Sequence, residues 1–77
     1  MFQLWIGPNP GKNEEIIPKD SRESAESAAR ELVLEAQKSS QSKIASVFDV
    51  EAGVVVSGFA TADLRRAVSG FSQIQVL

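Results

Sequence analysis

Phe2, Leu4 and Ile6 alternate with Gln3 and Trp5 at the start of the chain. A period of two marks a half-buried strand, so residues 2–6 are expected to be extended. The run ends at Gly7, Pro8, Asn9, Pro10 and Gly11. Two prolines remove ladder donors there and the glycines permit positive φ, which is the composition of a turn. Beyond it, Glu14, Glu15, Ile16 and Ile17 suit a short extra strand folding back on the first.

The period changes at Asp20. From there to Ser40, the residues Ala25, Ala28, Ala29, Leu32, Val33 and Ala36 recur at intervals of three and four, the stripe of an amphipathic helix. Asp20 is placed as its N-cap, with Glu23 three residues on completing a capping box and Pro18 just outside. Arg22, Glu26 and Arg30 fall four apart on the opposite face, which is expected to be solvated. Because the buried stripe is mostly alanine, the helix axis can lie close to its support, and the bulk must come from the opposing layer.

That layer is read from KIASVFDVEAGVVVSGFA, two β-rich runs separated by Glu51, Ala52 and Gly53. A three-residue hairpin with glycine in the left-handed position fits this spacing. Val50 then opposes Val54, Phe48 opposes Val56 and Ile44 opposes Ala60. Strict alternation turns Ile44, Phe48, Val50, Val54 and Val56 toward the helix. Thr61 is next expected to cap a second, short helix from Ala62 to Ser69, with Leu64, Ala67 and Val68 as its apolar stripe and Gly70 as its C-cap. Alternation resumes over residues 73–77, so the chain is predicted to end in a strand.

This order is βαββαβ, with the segment at 14–17 as the extra strand. Two βαβ halves commonly interlock as an antiparallel four-stranded sheet with both helices on one face, so a small α+β domain of ferredoxin-like arrangement is expected over residues 1–77. The alternative is a meander with the second helix off the sheet. The resemblance to ferredoxin-like domains is one of element order alone, and that fold hosts many unrelated functions.

Composition narrows the chemistry. The 77 residues contain no cysteine, histidine or tyrosine, which removes the usual general base near neutral pH, the strong thiolate nucleophile and the common zinc ligands. No cofactor or metal is expected, and no enzymatic activity. Eight basic and ten acidic residues give a net charge of −2 without a polybasic stretch, so nucleic acid and anionic lipid are not the expected partners. The chain has neither a long apolar span nor the basic start of a signal peptide, and a cytoplasmic location is expected.

The loop GPNPGK superficially resembles a phosphate cradle. Its glycines stand one residue closer than in G-x-x-x-x-G-K-[ST], Pro8 and Pro10 delete amide donors, and Asn13 replaces the magnesium-binding hydroxyl. It reads as a rigid turn carrying Lys12. Lys38 beside Ser39 and Lys43 beside Ser42 belong to a serine-rich linker, KSSQSK, expected to be exposed, where no activated hydroxyl is expected. An RNA-binding sheet shares the βαββαβ order, but only Trp5 and Phe59 would be left to stack on bases.

The most informative residues are those expected to face away from the helices. With the hairpin in the register above, Ala45, Val47, Val55 and Phe59 point outward, joined by Trp5 from the first strand. Exposed contiguous apolar area marks an interface, and tryptophan is enriched at its centre. Reversed parity, or cover by residues 13–17, would hide the same face. The sequence therefore points to a protein-binding adaptor, regulator or inhibitor of a larger assembly, such as the accessory proteins of bacteria or phages. It would act through a sheet face or edge on another protein or on a second copy, with Trp5, Val47, Val55 and Phe59 at the contact. A small RNA- or DNA-binding module is the alternative.

Overall fold

The extended start of the chain forms β1 (Phe2–Gly7) and the isoleucine pair forms β2 (Glu15–Lys19) in a computed structural model covering residues 1–77. There follow α1 (Arg22–Lys38), β3 (Ile44–Asp49), β4 (Val54–Ala60), one 3₁₀ turn at Ala62–Leu64 and β5 (Ile74–Val76). The five strands form one sheet in the order β2-β1-β3-β4-β5, antiparallel except for the parallel pair β4–β5. The molecule is a small, compact α+β structure with a single α-helix. None of its helices is long and apolar enough to cross a membrane.

The ferredoxin-like interlock is not what forms. In that arrangement the strand after the second helix would return beside the first strand. Here β1 is flanked by β2 and β3, and β5 adds beside β4 at the far edge. The place beside β1 is occupied by β2, which pairs with β1 from Phe2↔Lys19 to Ile6↔Glu15. The segment at 14–17, read as a short extra strand, thus shapes the topology, and Pro18 is tolerated because β2 is an edge strand.

The second helix is also absent. Residues 62–69 carry only Leu64 and Val68 as bulky apolar groups, too few contacts to repay helix nucleation. The segment instead closes a 3₁₀ turn and a series of turns, with Gly70 outside the positive-φ region. Thr61 does not cap it. Its buried hydroxyl accepts from the Lys43 amide (3.1 Å) and donates to the Lys43 carbonyl (3.3 Å), extending the β3–β4 ladder.

α1 begins one residue later than the capping-box reading implies. Ser21, in extended conformation, accepts the Ser24 amide at 3.1 Å, so Ser21 and not Asp20 is the N-cap and Glu23 falls outside the box position. Ala25, Ala29, Val33 and Ala36 are buried, and Ala28 and Leu32 pack on the same cluster. The helix ends in a Schellman arrangement: Gln41 donates to the Ala36 carbonyl (2.8 Å) and Ser40 to that of Gln37 (3.2 Å). Ser40 occupies the left-handed position at φ 57°, where glycine is at ease and serine is strained.

The face of the sheet that meets α1 carries Leu4, Ile6, Ala45 and Val47, with Phe2, Ile17, Val56 and Phe59 packed around them. This reverses the expected parity of β3 and of the far half of β4. Gly53 does take positive φ (71°) at the hairpin, and Ile44 does oppose Ala60. Between them, however, the register passes from Val47↔Ser57 to Phe48↔Val55, leaving Val56 without a partner, while Val50 lies outside the strands. This is a β-bulge, and one extra residue inverts every side chain beyond it. The hairpin also closes one residue earlier than expected, at Asp49↔Val54 around a four-residue loop and not at Val50↔Val54 around three. This turns β3 over, so that Val47, fully buried, faces the helix while Phe48 and Ile44 face away; the bulge then turns Phe59 to the helix side as well.

Two substitutions test this packing. Ala29, fully buried between α1 and the sheet, has no room to grow, so Ala29→Leu is expected to cost roughly 1 to 3 kcal/mol. Ser40→Gly should raise stability by about 0.5 to 1 kcal/mol by relieving the left-handed serine. Urea midpoints that move in opposite directions for the two variants are the expected result.

Candidate functional site

The sheet face away from α1 is defined by the strand register. One row across it runs Ile16, Trp5, Ser46, Gly58, Ile74; a second runs Pro18, Gln3, Phe48, Val55; a third runs Gly7, Ile44, Ala60, Val76. The third row is covered. The connection from β4 to β5 crosses this face, and its Val68 is buried on Ile44 and Ala60, with Leu64, Ile74 and Val76 around them. The first two rows have no covering element. Trp5, Phe48 and Val55 are half-buried, and Ile16 and Phe71 are 53% and 45% exposed.

Trp5 and Phe48 stack on one another at 4.3 Å between ring centroids and 16° between planes. Such a pair adds about 0.5 to 1.5 kcal/mol to simple area burial. The indole Nε1 donates to Gln3 Oε1 at 3.0 Å, so the polar edge of Trp5 is satisfied within the chain.

GPNPGK forms one wall of this face. Lys12 donates to the Asn9 carbonyl at 3.2 Å, with Pro10 at the second turn position and Gly11 at the third with φ 84°, as a type II turn requires. The loop folds back over Gly7, where any Cβ would collide with the Lys12 carbonyl. It joins two strands, so no helix N-terminus lies behind its amides. Phe71, Gln73 and Ile74 form the opposite wall. Ile74 lies over Gly58, where a Cβ would stand 2.6 Å from Ile74 Cδ1 and 2.7 Å from the Ala45 carbonyl oxygen. Between the walls, a groove of about 260 Å³ has Trp5, Ile44, Ser46 and Val55 as its floor and no charged side chain in its lining.

Of the residues expected at the contact, Trp5 and Val55 reach this face, while Val47 and Phe59 are on the helix side. Phe48, Ile16 and Phe71 replace them. Ile16 was legible from the alternation of the extra strand; Phe48 was hidden by a hairpin loop one residue longer than the sequence pattern implies, and nothing in the pattern marked Phe71. The serine and lysine pairs considered for chemistry do not converge into a site. Ser42 donates to Asp63, and Lys38 and Ser39 are exposed at the end of α1.

A polar cluster fastens the other face. Ser57 donates to Glu26 Oε2 at 2.6 Å, Arg22 Nε donates to the same oxygen at 2.9 Å, and Arg22 Nη2 reaches the Val56 carbonyl at 3.4 Å. The Ser57 hydroxyl and then the Arg22 guanidinium hold the Glu26 carboxyl below its ordinary value of 4.5, against a smaller opposing effect of burial. Asp63 is likewise lowered, first by the Ser42 hydroxyl. At the other end of α1, Gln37 accepts from the Ala62 amide (2.7 Å) and donates to the Leu77 carbonyl (3.0 Å), tying the β4–β5 connection and the C-terminus to the helix.

No family model, curated protein or solved structure matches the chain.

A lowered carboxyl pKa stabilises the folded chain above the unfolded value. The contribution from Glu26 is therefore complete above about pH 4.5 and is lost as the pH falls below it. Ser57→Ala should move the Glu26 pKa up toward 4.5 and flatten this acid-side loss. A carbon-detected NMR titration of the Glu26 side chain reads the shift directly, and an unchanged titration would remove Ser57 as its cause.

Proposed function

We propose that this chain is a protein-binding module, an adaptor, regulator or inhibitor of a larger assembly, that engages its partner through the outer face of the sheet. The observation that carries the reading is the uncovered apolar surface around the stacked Trp5 and Phe48, with Val55, Ile16 and Phe71 beside them. α1 covers one face of the sheet, and the β4–β5 connection spans only one end of the other. Large apolar side chains in water are costly to leave uncovered, and a contiguous group rimmed by polar residues is what a partner surface buries. Tryptophan at the centre of such a group supplies much of the binding energy.

A second reading, a small RNA- or DNA-binding module, draws on the same aromatic pair, since bases stack on exposed rings. It is the weaker of the two. No cation lines the groove, Glu14 and Glu15 follow its loop wall directly, and Lys12, Lys43, Arg65 and Arg66 would have to neutralise phosphates.

The test uses two glutamates on opposite sides of β4. Val55 faces outward; Val54 is 52% exposed in the neighbouring row, on the helix side. Affinity capture from native lysate should retain the same specific protein with the wild-type chain and with Val54→Glu, and lose it with Val55→Glu, while both variants keep the wild-type melting midpoint. Light scattering on the same samples distinguishes a second copy as the partner. Capture insensitive to Val55→Glu would overturn the reading, and salt-sensitive retention of nucleic acid in place of protein would establish the second one.

A further inference from the structure

The groove between the two walls of the outer face is specific enough in size and chemistry to say what enters it. At about 260 Å³ it lies below the 300 to 1,000 Å³ typical of small-molecule and cofactor sites. That volume suits one large side chain better than a whole nucleotide or cofactor. Its lining is uncharged: an apolar floor of Trp5, Ile44 and Val55, an apolar wall at Phe71 and Ile74, and the polar groups of Asn13, Gln73 and Ser46. A charged ligand group would lose its hydration here and find no counter-charge, so electrostatic complementarity selects a neutral one.

The polar groups narrow the class further. The side chains of Asn13, Gln73 and Ser46 appear in none of the side-chain hydrogen bonds of the chain. They flank an apolar slot with free amide and hydroxyl groups, which can pair with the N–H and C=O groups of an extended backbone. A second copy of the chain is a poorer occupant. Obligate homodimer interfaces are large and hydrophobic, whereas the β4–β5 connection leaves only a small apolar area open on this face, around Trp5, Phe48, Val55, Ile16, Phe71 and Ile74.

We infer that the groove bounded by the GPNPGK turn and Phe71–Ile74 binds an extended peptide segment of a partner protein by taking one uncharged, large apolar side chain onto Trp5. This rests on the protein-binding reading above and names the recognition element. Trp5 offers its ring and not its N–H, because Gln3 already holds that proton. The anchor is therefore aliphatic or aromatic, and its flanking peptide groups meet Asn13 and Gln73.

Capped single residues test this without the natural partner. N-acetyl-tryptophanamide and N-acetyl-leucinamide, titrated against the ¹⁵N- and methyl-labelled chain, should shift the Trp5 indole N–H and the methyls of Val55 and Ile74 at millimolar concentration. N-acetyl-argininamide and the amide of N-acetyl-glutamate should bind at least about tenfold more weakly. Phe71→Ala, at an exposed position outside the strands, should weaken the neutral probes while leaving the amide spectrum of α1 and β1 in place. Equal binding of charged and neutral probes, or shifts absent from the groove, would sink the proposal. If the probes fail while Val55→Glu still abolishes protein capture, the sheet-face reading survives without the anchor groove. If light scattering instead shows a dimer broken by Phe71→Ala, the occupant is a second copy and the inference is wrong.

Discussion

A single unpaired residue, Val56, decides which side chains of β4 reach the helix. Without the bulge, alternation would carry Val55 and Phe59 to the same face. With it, Val55 stays outside while Val56 and Phe59 turn inward, and Ser57 comes opposite Val47 on the helix side. The bulge also leaves the Val56 carbonyl accessible, and Arg22, in the first turn of α1, donates to it. Ser57, displaced to the helix side, donates to Glu26 one turn further along. The start of α1 is thus fastened to the same stretch of β4 that breaks the ladder, so registry and helix placement are one constraint.

Small residues set how close that placement is. Ala25 and Ala29 on the helix meet Ala45 and Val47 on the sheet, and all four are completely buried. Bulky side chains in β3 would push the helix outward, so Ile44 and Phe48 are accommodated on the opposite face. There each finds its own cover: Ile44 lies beneath Val68, and Phe48 lies against Trp5. The sheet therefore carries two unequal apolar layers. The helix completes the first; the second is completed only at the β5 end, by a connection with too little apolar surface to become a helix.

Much of this architecture was legible in the alternation itself: β1, the helix span, the hairpin glycine, the closing strand and the short strand at the isoleucine pair. The helix stripe was legible because alanine, leucine and valine recur at a period that admits only one face. The hairpin faces were not, because both parities of β3 and β4 are apolar, and composition alone does not distinguish Ile44 and Phe48 from Ala45 and Val47. Volume did carry the information: beneath the alanine-rich stripe the central strand β3 contributes its smaller set, Ala45 and Val47, while the bulk of that face comes from Leu4 and Ile6 of β1 and Phe59 of β4. The bulge left no local mark, since Val54, Val55 and Val56 are identical. For the candidate site, Trp5 was readable from β1, whose faces are unambiguous. Phe48 and Phe71 became visible only once the register and the path of the β4–β5 connection were known.

The uncovered layer is not simply unfinished core. Core side chains left open would be free to shift, whereas here Trp5 is held on two sides, by the Phe48 ring and by the Gln3 amide that takes its N–H. Gly7 lets the GPNPGK turn close onto the end of β1, and the prolines lower the entropy lost in holding it there. Gly58 lets Ile74 pack onto β4 from the other side. Two glycines on the strands that flank β3, each intolerant of a Cβ, thus bring the walls of one groove into place around a fixed aromatic floor. Ordering a flexible site on binding costs roughly 0.5 to 1.5 kcal/mol per long side chain, and a surface already held in this way avoids much of that loss. The same apolar surplus that the small fold cannot cover from within is in this way presented as a rigid, uncharged surface.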